Sequence, residues 1–407
     1  MNLTDFRNRI PAINSWLLAG VFFSIPLTVA PAYWLTALML VLWLVEGKYS
    51  SKFEVLRKEP LVWIFVAYYF VFVLSLLWSD DLEWGRRMIS RQNFFLLFPL
   101  YFSVARREHY QRYVMMFLAS IALCEVLAFY NFFQINVWTG LPEGIRVDKN
   151  PEDTAPFVDR IMYAPALAMA GYLLMRKFLF DEVGLARRLG TLFFLLTTIV
   201  NLLFSGGRAG LVGFLALAAV LVFERFSRRP LLAGPIALAL VVSVLVVGYH
   251  GNEHFRTRFD SAVDQVMHFE ERENTSVGLR IVFVINAFRV FMDSPVLGVG
   301  IGDYPTEYEK VNAAFTPDWK TSWNPHNQLM YVLTSCGLLG GALLALVLLW
   351  PMLRRSRDDG LVSVRRAVPL LFIVIGLFES YLMRSNTSLM FAVFTAALWC
   401  GLEGRRA

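Results

Sequence analysis

The chain has 407 residues, of which 57% are hydrophobic and 17% charged, and it carries 38 Lys and Arg against 32 Asp and Glu. Soluble domains run about 45–50% apolar and about 25% charged, so this balance excludes an ordinary soluble domain and indicates an integral membrane protein. Cys124, Cys336 and Cys400 each lie inside an apolar run with no C-x-x-C spacing, which excludes a disulfide framework and marks them as small core residues.

Arg7 and Arg9 precede the first apolar run, which opens near Ala12. That start resembles a signal sequence, but the next run follows at once with no small-residue cleavage site, so we read an uncleaved first span. Twelve spans are expected, at 12–30, 31–46, 60–78, 91–105, 113–135, 160–179, 189–204, 209–224, 231–249, 326–350, 367–383 and 387–403. About 20 residues cross the hydrocarbon core as a helix, and a lipid-exposed span must satisfy its own backbone. The alternation of a β-barrel is absent, and no internal repeat supports an inverted-repeat transporter. The expected fold is therefore all-α: nine transmembrane helices over 1–249, a polar loop over 250–325, then three more helices and a short tail over 326–407.

Charge sets the orientation. With the N-terminus in the cytoplasm, 23 of the 38 Lys and Arg fall on the inner side, and seven of the other 15 lie in the long loop. Long loops count little, so the comparison that matters is 23 against 8, and both termini are expected inside. If Val277–Met292 crossed the membrane, the five arginines at 354–366 would face outward. That segment also carries Arg280, Asn286 and Arg289 and ends at Asp293-Ser294-Pro295, so an interfacial helix in the outer leaflet is expected. Phe255–Glu273 is expected as a second, amphipathic outer helix. Gly298-Val299-Gly300-Ile301-Gly302 is expected as a tight loop with close backbone approach rather than a nucleotide fingerprint, since no strand–helix unit surrounds it.

The outer side is biased to arginine, with 12 Arg against Lys149, Lys310 and Lys320. Arginine stays charged and grips phosphate through two parallel N–H donors. Arg160, Arg208, Arg280 and Arg384 stand at apolar boundaries, where a charge either snorkels, pairs with a carboxylate or binds an anionic lipid headgroup. Arg86, Arg87 and Arg91 follow Asp80-Asp81, which reads as an internal ion pair. His326 is expected at the start of the tenth span, with Asn324 as the helix cap and Pro325 in the first position. Its imidazole is then either structural or a proton acceptor, with Asn327 and Gln328 placed to orient a ring or hold sugar hydroxyls. No paired His ligands, H-E-x-x-H, P-loop or G-x-S-x-G elbow occurs, so no metal, nucleotide or other cofactor is expected.

Ser205-Gly206-Gly207-Arg208-Ala209-Gly210, Gly278-Leu279-Arg280, the alternating glycines and Asn324-Pro325-His326-Asn327, in that order around a large outer loop, resemble the O-antigen ligase family. The resemblance implies a GT-C-like glycosyltransferase of the bacterial inner membrane with a periplasmic active site. It would move glycan from undecaprenyl diphosphate to lipid A–core, without metal or nucleotide and with no nucleic acid partner. By that resemblance His326 is the general base, and Arg208 and Arg280 bind the diphosphate with help from Arg160. O-antigen polymerases and protein O-oligosaccharyltransferases share the pattern. The compact length, with no added C-terminal domain, favours the ligase over the protein-modifying type. A transporter of an anionic lipid would need ionisable groups deep in spans, and Glu125 and Glu379 stand there without an obvious partner.

Overall fold

The computed structural model describes residues 3–136, 153–268, 274–356 and 359–402. Arg146, Lys149, Arg272, Arg357, Arg405 and Arg406, counted above for orientation, and the end of the expected outer helix at 269–273 lie outside the described residues. The described residues form helices and no strand. In chain order these are α1 Leu3–Ser24, α2 Val29–Glu46, α3 Tyr49–Lys58, α4 Pro60–Ser75, α5 Leu82–Ser90, α6 Asn93–Leu96, α7 Phe98–Val104, α8 Tyr110–Asn136 and α9 Arg160–Phe180. There follow α10 Leu185–Phe204, α11 Arg208–Arg225, α12 Pro230–Gly251, α13 Glu253–Met267, α14 Ser276–Asp293, α15 Tyr304–Phe315, α16 Gln328–Leu353, α17 Val362–Gly376 and α18 Ser385–Trp399.

The apolar runs carry most of the helix, but their edges differ from those expected: the run 12–30 breaks between α1 and α2, and the run 367–383 leaves helix after Gly376, so Glu379 stands in a connection rather than in a span. Six helices among the described residues are long and apolar enough to cross a membrane: α2, α4 with its 3-10 extension to Trp78, α8, α10, α12 and α16. The segment 91–105 is not one helix but two, α6 and α7, because Pro99 sits in the first turn of α7. Proline has no N–H to donate and its ring clashes with the carbonyl four residues back, so the first helix stops there.

The chain divides into two compact units. Unit 1 comprises Met1–Ala19, Tyr33–Gln111 and Ala262–Ala407. Within it α16 packs on α4, α14 and α17, while α18 packs on α6, α7 and α17. The core is aromatic: Phe65 stacks on Phe98 at 3.9 Å between centroids and on Phe391 at 5.6 Å. Helix α16 kinks at Gly337, whose φ of 61° and ψ of −159° are not helical. The glycine loop fills the kink. Val299 N donates to Thr334 O at 2.8 Å, Gly300 N to Ser335 O at 3.1 Å, and Leu338 N returns a bond to Pro295 O at 2.8 Å. The expectation of a tight loop with close backbone approach is met, since Gly298 and Gly300 have φ of +73° and +99°. The loop is tied to α4 as well, through Ile301 N to Ser75 Oγ at 3.1 Å.

Unit 2 comprises Gly20–Ala32 and Arg112–Ser261. Its centre is α9, buried through most of its length against α10 and α11. The Ser-Gly-Gly-Arg-Ala-Gly motif explains that approach. A Cβ on Gly207 would lie 2.2 Å from Ala164 Cβ, and one on Gly210 2.5 Å from the Ala164 backbone, so only glycine lets α11 close on α9 here. Glu125, in the middle of α8, is not unpartnered: Thr197 and Thr198 donate to its two oxygens at 2.8 and 2.6 Å. The three cysteines are free and buried.

Two glycines with the same backbone sign and different surroundings should respond differently. Gly298→Ala places a methyl 2.5 Å from the α16 backbone, and we expect a loss of about 3 kcal/mol or more from clash plus left-handed strain. Gly47→Ala, at φ +73° with nothing within 4 Å, should cost only about 1 kcal/mol. Thermal unfolding midpoints of the two variants in detergent, compared with the parent, check the difference.

Candidate functional site

Helix α16 starts later than the sequence suggests. Asn324 does not cap it and Pro325 is not its first residue: the cap is Asn327, whose side chain accepts from Met330 N at 3.0 Å. Asn324 Oδ1 is already taken by the His326 N–H, two residues on, at 3.0 Å. That Asx turn carries His326 into the left-handed region, φ 51°, and holds it outside the helix. A non-glycine residue rarely adopts this conformation, and strain of this kind concentrates at functional sites.

The His326 ring is fixed from two sides. Its Nδ1 lies 2.7 Å from Glu379 Oε2. Phe283, from α14, stacks on the ring at 5.6 Å with 22° between planes. Glu379 lies in the connection between α17 and α18, nearly buried, and its other oxygen accepts from Asn324 Nδ2 at 2.5 Å and from Ser380 N at 2.9 Å. Arg384 pairs with Oε2 at 3.2 Å. Burial by itself would raise the Glu379 carboxyl. The hydrogen bond to His326 and the charge of Arg384 outweigh it and hold the group at about 2. The carboxylate is therefore ionised at neutral pH and can only accept, so the proton on His326 belongs on Nδ1. In a neutral imidazole that places the lone pair on Nε2, on a side chain that is 26% exposed. A His held in one tautomer by a buried carboxylate is an arrangement able to take a proton from a hydroxyl.

Arg280 and Phe283 sit three residues apart on α14 and so share a face. Among the described residues the Arg280 guanidinium has no ion pair or hydrogen bond, and its Nε is buried without a partner. Arg289 on the same helix is different: it donates to Asn286 Oδ1 at 2.8 Å and lies over the Phe315 ring at 4.3 Å. A half-buried guanidinium without a partner among the described residues keeps its N–H donors available to an anion.

The three amides singled out in the sequence are all used by the protein itself. Asn324 holds Glu379 and the His326 turn, Asn327 caps α16, and Gln328 Oε1 accepts from Leu382 N at 2.7 Å. They serve the framework on either side of His326. Glu379 and Phe283 were not picked out as site residues from sequence. The available signal for Glu379 was an acid in an apolar stretch five residues before Arg384, which requires a partner somewhere.

In unit 2, Arg208 and Arg160 come together around Gly206, along with Arg258, which the sequence did not single out. A Cβ on Gly206 would meet Arg258 Nη1 at 2.2 Å and Arg160 Cδ at 3.9 Å, and Arg208 Nη2 donates to Arg258 O at 3.3 Å. Asp153 accepts from the backbone N–H of Arg160 at 3.0 Å.

Unit 1 thus defines a class: a multi-pass membrane protein with a carboxylate-backed histidine and, on a neighbouring helix, an arginine without a partner among the described residues. Residues 193–345 match the family model described as O-antigen ligase. The match bears out the resemblance read from the motifs and contains all of them, from Ser205 to Asn327. Glu379, Arg384 and Arg160 lie beyond it. No curated protein matches the chain.

The Glu379 carboxylate carries a pH signature. Its pKa is depressed in the folded state, so its stabilisation is complete above the ordinary glutamate value of about 4.3 and is lost as pH falls toward 2. Unfolding midpoints measured in detergent from pH 5 to pH 2 should fall for the parent, and Glu379→Gln should flatten that slope while lowering the midpoint at pH 5.

Proposed function

We propose that this protein is an O-antigen ligase. It transfers glycan from an undecaprenyl-diphosphate donor to a sugar hydroxyl of lipid A–core, at the periplasmic face of the bacterial inner membrane. The observation that carries the reading is the Glu379–His326 pair, whose Nε2 makes no hydrogen bond among the described residues. The family match over residues 193–345 supports transfer of ligase or polymerase type. The charge balance of 23 against 8 supports an outer active site, twelve spans, a periplasmic 250–325 loop and cytoplasmic termini.

In this reading Nε2 of His326 takes the acceptor hydroxyl proton as its oxygen bonds to the anomeric carbon. The bond from that carbon to the diphosphate oxygen breaks, and the electron pair leaves with the diphosphate. Arg280 meets the charge that develops there, and the positive charge on the imidazole is met by Glu379. Arg208 and Arg160 are proposed as further diphosphate ligands on the strength of the resemblance. Neither metal nor nucleotide enters these steps.

Purified protein supplied with undecaprenyl-diphosphate glycan and lipid A–core, with EDTA and no nucleotide, should give a ladder of joined product on a gel. A ladder on donor alone would identify a polymerase, and none with active donor and acceptor would sink transfer altogether. His326→Ala should lower kcat about 10²- to 10⁴-fold. Glu379→Gln should cost about 10²-fold or more, because an amide can donate to Nδ1 and favour the wrong tautomer. Arg280→Lys keeps the charge and loses the two-pronged grip, for a loss of roughly tenfold. Full activity in Arg280→Lys would remove that role.

A further inference from the structure

A second guanidinium of unit 1 shares with Arg280 the lack of a hydrogen-bond or ion-pair partner among the described residues. Arg91 follows α5, is half-buried, and its guanidinium makes no hydrogen bond or ion pair among the described residues. The expected pairing of Arg86, Arg87 and Arg91 with Asp80-Asp81 does not form. Asp81 caps α5 through Trp84 N at 2.8 Å, and the Asp80 and Asp81 amides donate to Asp303. Arg91 instead lies over the Trp323 ring at 5.4 Å. Trp84 meets Trp323 edge-on at 5.8 Å, and Arg87 lies over Trp84, also at 5.8 Å. The Arg91 carbonyl accepts from Ser388 Oγ at 3.3 Å, which fixes its backbone against α18. Burial is the chief cause that lowers the Arg91 pKa, and the nearby charges are Arg87 and Arg384 rather than free carboxylates. Glu379 is already taken by His326 and Arg384.

A guanidinium held over an indole at 5.4 Å by cation–π attraction makes no hydrogen bond to the ring, so its N–H donors stay free for a two-pronged anion. Trp323 is 38% exposed and belongs to the segment that carries the base, three residues before His326. Arg280, by contrast, arrives on α14. An exposed indole offers a flat apolar platform of the kind a sugar ring covers, and Arg91 supplies the charge at its margin.

We propose that Arg91 and Trp323, with Arg87 at the rim, form a subsite for an anionic sugar, one bearing phosphate or carboxylate, of the acceptor glycolipid. The proposal rests on the reading that His326 deprotonates the acceptor, because the sugar seated next to the base is then the acceptor's. The subsite selects acceptors by charge and sets which hydroxyl reaches Nε2.

The test uses the full chain in nanodiscs, with a phosphorylated core glycolipid and the same glycolipid after phosphatase treatment. Arg91→Gln should raise KM for the phosphorylated acceptor about tenfold, with kcat and donor KM within about twofold of the parent and a smaller effect on the dephosphorylated acceptor. Trp323→Leu should raise KM for both acceptors, and Arg91→Lys should recover part of the loss. Equal effects of Arg91→Gln on both acceptors, or an increase confined to donor KM, would overturn the subsite. Calorimetric titration with the phosphorylated core oligosaccharide reads the subsite without turnover, in the parent and in His326→Ala. If the parent shows no transfer, the glycosyl-transfer reading fails by itself. Binding that is then lost in Arg91→Gln still supports an anionic-sugar subsite, and binding unchanged in that variant overturns it.

Discussion

A carboxylate taken out of water has to be met on both oxygens, and at Glu379 four groups meet it: the imidazole, an asparagine amide, a backbone N–H and a guanidinium. Each donor comes from a segment that needs the acid for its own conformation. Asn324 can hold the His326 turn only while its amide nitrogen is anchored, and Ser380 Oγ donates to the same asparagine at 2.8 Å. The strained backbone at His326 is stable because these bonds over-determine it. One buried charge therefore fixes the His326 ring, the path of the chain before α16 and the place of Arg384.

The remainder of unit 1 serves to bring helices close enough for that arrangement. Phe283 reaches the imidazole because α14 packs on α16, and Asn286, fully buried on α14, bonds Thr316 Oγ1 at 2.6 Å. At the opposite end of α16, Arg354 pairs with the fully buried Glu59, which also receives Leu61 N at the start of α4. Polar groups thus secure the ends of an otherwise apolar helix pair. Breaking one partner would leave a buried charge exposed to no solvent, which costs far more than the pair contributes.

Apolar runs made the helices legible in the sequence, and the glycine spacing correctly announced a tight loop. Where the reading failed, long-range chemistry had overruled a local rule. Asn324-Pro325 is a good start signal for a helix, yet the Asn324 oxygen is used two residues on and its nitrogen 55 residues away, so the cap passes to Asn327. Glu379 looked solitary for the same reason: nothing near it in sequence tells that His326 will arrive. Likewise Asp80 and Asp81 lie beside three arginines and bond none of them: Asp303 claims their backbone, and Arg87 and Arg91 turn to tryptophan. Arg160 comes up to Gly206, two residues before Arg208, because Gly207 and Gly210 allow α11 to touch α9.

The break in α16 at Gly337 frees carbonyls that a straight helix would use internally, and the chain after α14 supplies the missing donors. α14 and α16 are thereby riveted where the chain leaving α14 crosses the kink, near Val299 and Gly300, and Phe283 on the His326 ring fastens them a second time. Two fastenings along one pair of helices resist hinging as well as sliding, so the amides at the rivet exchange with solvent only when α16 itself opens.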